Sequence, residues 1–238
     1  MRLATWNLDR CRPKATARAD RLQMGMSQVD ADVWVLTETH AEFSPGPDFC
    51  LLAYSADAPD RNSKSGECWV AIWSRLGGHS VQLTADRERV AAAKINGCVV
   101  VGTVLPWLSD GRDSTLTGEA LFRSRLSEQA GDWRRLLAEG ALCVVGDFNQ
   151  DLLTAGHYYG SKGGRVALKE ALSSCGLDCL TSSEDDPLVG ESGLATIDHI
   201  CVHNMVPLSW PRSSAWPPVG QLKGLTDHYC IYTDIKQI

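Results

Sequence analysis

Four stretches of this chain share one layout: a short apolar run that ends on a carboxylate, often with a His or Asn beside it. Val33 to Glu38, Leu142 to Asn149, Ala195 to Ile200 and Leu225 to His228 deliver Glu38, Asp147, Asp198 and Asp227 in this way. A fifth run, Leu3 to Asn7, delivers an amide. Carboxylates at the ends of buried strands are costly to desolvate unless something compensates their charge. Several converging on one spot imply a hard divalent cation, and hence chemistry on an oxygen-rich substrate such as a phosphate.

The 238 residues, 44% hydrophobic and 22% charged, are ordinary for a soluble globular protein, and no internal repeat or linker separates two cores. A single domain over residues 1–238 is therefore expected. No run approaches a membrane span, and the first strand begins at once, so neither a membrane segment nor a signal peptide is predicted. The nine cysteines form no paired framework, and Cys98, Cys143, Cys201 and Cys230 sit inside apolar runs. Reduced thiols serving as small hydrophobes fit a cytoplasmic home. Cys175, Cys179, Cys201 and His203 can be read as a zinc set, but their spacing matches no familiar finger or ribbon. A net charge of −6 argues against tight nonspecific binding of a polyanion. Local basic groups exist at Arg10, Arg12, Lys14, Arg18 and Arg21 and at Arg61 and Lys64, for which a solvated face is the plainer reading.

The pattern predicts a strand from Arg2 to Leu8 and a helix from the N-cap candidate Thr16 through about Val29. Strands are expected at Val33–Thr37, Phe49–Tyr54, Cys68–Ser74, Val81–Leu83, Val90–Ile95 and Cys98–Val104. Asn96-Gly97 is a type I′ turn signal between the last two. A helix from about Gly118 to Glu139, a strand from Ala141 to Val145, a helix from Arg165 to Ser174 and strands at Ile197–Val202 and Tyr229–Ile235 complete the reading. Strands outnumber helices, and the helices do not follow every strand. That suits two packed sheets flanked by helices.

Thr5-Trp6-Asn7, Leu36-Thr37-Glu38, Gly146-Asp147-Phe148-Asn149, Ile197-Asp198-His199 and Thr226-Asp227-His228 occur in that order. Together with Ser65 to Arg75, they resemble the signature of the endonuclease/exonuclease/phosphatase superfamily, the deoxyribonuclease I-like fold, across essentially the whole chain. The resemblance implies an α+β, four-layer α/β/β/α sandwich of two packed mixed sheets flanked by helices. It also implies Glu38 and Asp227 as metal ligands, with Asn7 beside the metal or on a phosphate oxygen. Asp147 would position or deprotonate the attacking water, and Asn149 would hold water or phosphate. His228 would meet the scissile phosphate, with Asp198 on its other ring nitrogen. Mg²⁺ or Mn²⁺ is the cofactor implied, and nucleic acid the leading substrate class for a monomeric hydrolase. Taken singly, each piece has a plainer explanation, such as an Asx turn at Asp147.

The chain departs from many nucleases of this superfamily at Gly102-Thr103-Val104-Leu105-Pro106-Trp107, which holds no His, Tyr or Asn. The leaving-group acid is therefore missing or supplied elsewhere, with His157, Tyr158, Tyr159, Lys162 and Arg165 as candidates. Arg10, His157, Tyr158 and Arg165 are the expected substrate contacts. Trp107, Trp210 and Trp216, beside prolines, are candidates for base stacking, although packing is the commoner role for such residues. Thr5 to Asp9 also resembles tyrosyl-DNA phosphodiesterases. Small-molecule phosphodiesterases and a non-catalytic binding module of the same fold remain alternatives.

Overall fold

The computed structural model describes all residues except 14–15, 57–64, 112, 114, 190–192 and 223. Arg61 and Lys64, and Lys14 of the first basic group, thus lie outside the described residues. Two mixed sheets pack face to face. The first has the order β11(Met205–Pro207)-β13(Cys230–Gln237)-β1(Arg2–Asn7)-β2(Val33–His40)-β4(Glu67–Ser74)-β3(Cys50–Tyr54), with β12(Ser214–Trp216) also on β13. The second runs β5(His79–Ser80)-β6(Val90–Ile95)-β7(Cys98–Val104)-β8(Ala141–Asp147)-β10(Asp198–His203)-β9(Asp178–Cys179).

Period-two alternation explains the layers. Val33, Val35, Val70 and Ile72 of the first sheet meet Val100, Cys143, Val145 and Ile200 of the second in the core between them. Their neighbours Trp34, Leu36, Ala71 and Trp73 face outward onto Ala19, Leu22, Met26 and Val29 of α1(Ala17–Val29). On the far side, Val99, Val101, Leu142 and Val144 are covered by α2(Gly118–Leu136) and α3(Lys162–Ser174). The result is the expected α/β/β/α sandwich. Thr16 caps α1, its hydroxyl accepting from Ala19 N at 3.0 Å. Asn96 and Gly97 both have positive φ (47° and 81°), as the β6–β7 turn requires. Among the described residues, no helix is long and apolar enough to cross a membrane.

Some boundaries differ from expectation. The strand expected at Val81–Leu83 is replaced by β5 at His79–Ser80, because the Asp132 carboxylate captures the amides of Thr84 and Ala85 and turns the chain. The helix expected to start at Arg165 begins at Lys162, where the Ser161 hydroxyl accepts from Gly164 N at 2.8 Å. All nine cysteines are free. The zinc set does not assemble. Cys179 faces Cys201 across β9 and β10, Cys175 ends α3, and His203 Nδ1 pairs with the Gly176 carbonyl.

Candidate active site

Strand direction gathers the motif residues. β1 runs parallel to β2 and β7 to β8, each pair joined through a helix, while β13 is antiparallel to β1 and β10 to β8. The last residues of β1, β2 and β8 and the first of β10 and β13 therefore meet at one end of the inter-sheet seam. Alternation turns Asp147 inward with Cys143 and Val145, and Asp198 inward with Ile200 and Val202. Glu38 is different. Continued alternation would place it outward with Trp34 and Leu36, but its φ of 43° breaks the extended geometry. A non-glycine residue held there costs about 1–3 kcal/mol, a strain typical of functional sites.

Asn7 bridges the two sheets, its Nδ2 donating to Glu38 Oε1 and to Asp147 Oδ2, both at 3.1 Å. Its Oδ1 accepts from Asp9 N at 2.9 Å. The Asn149 amide donates to Asp147 Oδ1 at 2.9 Å, while the Asn149 side chain donates to the Leu105 carbonyl and so secures the loop rather than facing the cleft. His228 Nδ1 donates to Asp198 Oδ2 at 2.6 Å. Asp227, whose side chain is 82% exposed, stands 3.9 Å from His228 Nε2. Arg10 Nε lies 3.8 Å from Glu38 Oε2, and its guanidinium covers the Trp69 ring at 5.2 Å.

Burial and repulsion from Asp198 and Glu38 push the Asp147 carboxyl up to about 7, against the opposing pull of His228. Burial alone would depress His228. The Asp198 carboxylate overrides it and, with Asp147 and Asp227, raises the imidazole to about 10. Burial likewise raises Glu38. One ligand atom each from Asp147, Asp198 and His228 lies within 4.8 Å of the others, a group that stands alone in this respect among the described residues. Asp198 Oδ1 is buried with no hydrogen-bond partner among them. Glu38, Asp147 and Asp198 bring carboxylate oxygens to this end of the seam, one of them buried without a partner among the described residues. Such a set of hard donors fits a divalent cation, to which the protonated His228 contributes no ligand.

The flanking residues divide into cleft and scaffold. Tyr158 and Tyr159 line a cleft of about 350 Å³ with Asp198, Asp227 and His228. Burial, reinforced by Asp147, Asp227 and Glu38, raises the Tyr159 phenol above its ordinary value. His157 and Arg165 instead bind Asp151 Oδ2, at 3.0 and 3.2 Å, and so belong to the support of the loop. Asp151, fully buried, is a residue that sequence reasoning misses; only the acidic run Asp147-Phe148-Asn149-Gln150-Asp151 hints at it. Arg18 is missed as a site residue too. It reaches the carbonyls of Leu8 and Leu225, tying the loop after β1 to the one carrying Asp227 and His228. His199, beside Asp198, faces away, edge-on to Phe148, with Nε2 on the Gln150 carbonyl at 2.9 Å. Trp107 packs on Trp69 and Trp216 on Trp6. Trp210, 75% exposed, follows Leu208, whose amide donates to the Asp234 carbonyl of β13 at 2.8 Å, and is not among the residues lining the cleft.

Fold and site together define a protein built to gather carboxylates and a charged histidine at one end of a two-sheet sandwich. The chain belongs to the Endonuclease/Exonuclease/phosphatase family, whose model matches residues 4–228. Among solved structures it resembles a 3′-5′ exonuclease (NExo) from Neisseria meningitidis, at TM-score 0.70 and 18% identity, covering 98% of this chain and 99% of that one. An AP endonuclease from Archaeoglobus fulgidus gives TM-score 0.67 and 15% identity, covering 98% of each chain. A 3′ phosphatase NExo from Neisseria, bound to product DNA hairpin, gives 0.68 and 17%, covering 99% of each. No curated protein sequence matches.

Proposed function

We propose that this protein is a Mg²⁺- or Mn²⁺-dependent phosphoester hydrolase acting on phosphodiester bonds of nucleic acid. The observation that carries the reading is the convergence of Asp147, Asp198 and His228 within 4.8 Å of one another, beside Glu38 and bridged to it by Asn7. Glu38 and Asp227, with Asn7 alongside, would hold the cation. Bound there, it would neutralise charge on the nonbridging phosphate oxygens. Asp147, oriented by the Asn149 amide and by Asn7, aligns the attacking water and takes its proton. Such a base contributes roughly 10²–10⁴-fold. His228, kept charged by Asp198, presents Nε2–H to the phosphate as charge accumulates in the transition state. Arg10 and Tyr158 flank the approach, and His157 and Arg165 act through the loop they brace.

The DNA-bound relative of the same fold supports nucleic acid as the substrate class. The net charge of −6 favours a second reading, a small phosphoester. A Mn²⁺-supported screen over single- and double-stranded DNA, abasic DNA, RNA, phosphotyrosyl-DNA and bis(4-nitrophenyl) phosphate separates them. Chelation should abolish turnover, and Asp147→Asn or His228→Ala should each lower it by about 100-fold or more with folding intact. Near-normal turnover in either variant would sink the mechanism.

A further inference from the structure

The strand leading into α2 offers no proton for a departing oxygen. Val104 is the residue paired with Asp147, the Thr103 hydroxyl is spent on Gln129 at 2.6 Å, and Trp107 packs on Trp69. If the phosphoesterase reading holds, hydrolysis of an ordinary alkyl ester still calls for a donor, because an alkoxide leaves poorly without a proton.

We infer that Tyr159 supplies that proton and that Asp151 is the residue that positions it. Tyr159 is 39% exposed and lines the same cleft as Asp198, Asp227 and His228. Its hydroxyl bonds to no protein group among the described residues, unlike that of Tyr229, which accepts from Gly220 N at 2.9 Å. The cleft it lines is walled by Asp198, Asp227 and His228, and after burial the charges of Asp147, Asp227 and Glu38 raise its phenol.

Its backbone is locked in both directions. Asp151 Oδ2 accepts from Tyr159 N at 2.9 Å, and Asp151 N donates to Tyr159 O at 3.3 Å. The same oxygen also takes Tyr158 N at 2.8 Å. Gly160, at φ 88°, lets the chain pass over the Gln150 side chain, which fills the space a Cβ would need. Gln150 Oε1 in turn accepts from Ser161 N at 2.9 Å. A fully buried carboxylate is an expensive fastener for a surface loop. It makes sense where the loop must hold one side chain against the site.

In the step, the water oxygen bonds to phosphorus as the bond to the leaving oxygen breaks. The water proton passes to Asp147, and the leaving oxygen takes the phenolic proton. Solvent carries the proton from Asp147 back to the phenolate, so one water is consumed and the protein is regenerated.

The test compares thymidine 5′-monophosphate 4-nitrophenyl ester with the corresponding methyl ester, in Mn²⁺. Nitrophenolate departs without a proton; methoxide does not. Tyr159→Phe, which removes only a hydroxyl with no protein partner among the described residues, should lower kcat on the methyl ester by about 100-fold and change the nitrophenyl ester by less than about 3-fold. Asp151→Asn should show the same split, more weakly. Equal losses on both esters would indicate a structural role and overturn the inference, as would no loss on either. A wild-type protein that cleaves only the nitrophenyl ester has no leaving-group acid, which also overturns it. Failure of the wild type on both esters would instead remove the phosphoesterase reading and this inference with it.

Discussion

Asp147 and His228 are opposite in charge and shifted in the same direction, and in the proposed reaction the pair would set the working pH. Asp147 must lose its proton to act on water, and burial with its acidic neighbours holds that proton up to about 7. His228 must keep its proton to stabilise the transition state, and Asp198 keeps it there up to about 10. The rate should therefore rise with pH as Asp147 ionises and fall as His228 does, with a bound cation moving the acid limb lower. Asp198→Asn removes the main group that raises His228, so its alkaline limb should move toward neutrality. A pH profile of kcat/KM on a DNA oligonucleotide reads this directly. An alkaline limb unmoved in the variant would detach His228 from Asp198.

At the scale of elements, the strand that presents Asp147 depends on a glycine. Gly146 has φ 138°, and a methyl group there would overlap the carbonyl of Thr103 on β7. Backbone cannot yield as a flexible side chain would. Gly146→Ala should thus lose roughly 2–4 kcal/mol. Gly131→Ala, on an exposed face of α2 with nothing within 4 Å of a new Cβ, should instead gain about 0.5–1 kcal/mol. Urea denaturation measures both, and a mild Gly146→Ala would show that β8 has room to shift away from β7. These two glycines also mark what a single sequence discloses. Asp147, Asp198 and Asn7 were readable because each continues the alternation of a strand, and strand direction then brings them together. Glu38 reaches the site through a backbone conformation that no residue pattern announces. The two- and three-residue strands β9, β11 and β12 carry too little periodicity to be seen, and exist because a longer neighbour pairs with them. Asp151 binds loop amides up to eight residues on, in a loop with no periodicity to read, and Arg18 reaches a carbonyl 207 residues away, so their roles appear only after folding.

For the whole molecule, the cleft is a site of low stability that a cation should relieve. Asp147 is raised from its ordinary 3.8 to about 7, so its ionisation costs folding free energy that sets in above pH 4 and is complete above 7. His228 is raised from 6.5 to about 10, so the stability it contributes is complete below 6.5 and is lost as pH climbs through 10. Both make the metal-free protein less stable as pH rises. The opposing groups, such as Asp113 at about 2 and the lowered Asp132 and Asp151, lose their contribution only in more acidic solution. Asp86, raised by burial to about 6 away from the cleft, adds a slope of the same sign up to that pH, so between about pH 6 and 9 the cleft should dominate. In EDTA, Tm should fall across that range. Millimolar Mn²⁺, binding the folded form alone, should raise it most where the carboxylates are ionised. Asp147→Asn should lift the EDTA Tm at pH 8, flatten its pH dependence and shrink the Mn²⁺ shift. The gap between variant and parent should narrow as pH falls and close only near pH 4 and below, where Asp147 carries its proton in the unfolded chain as well as the folded one. Calorimetric scans over this matrix test the linkage without any substrate. An EDTA Tm that rises with pH, or an Asp147→Asn variant less stable than the parent at pH 8, would mean that the buried carboxylates are compensated within the protein and that the cleft has no need of a cation.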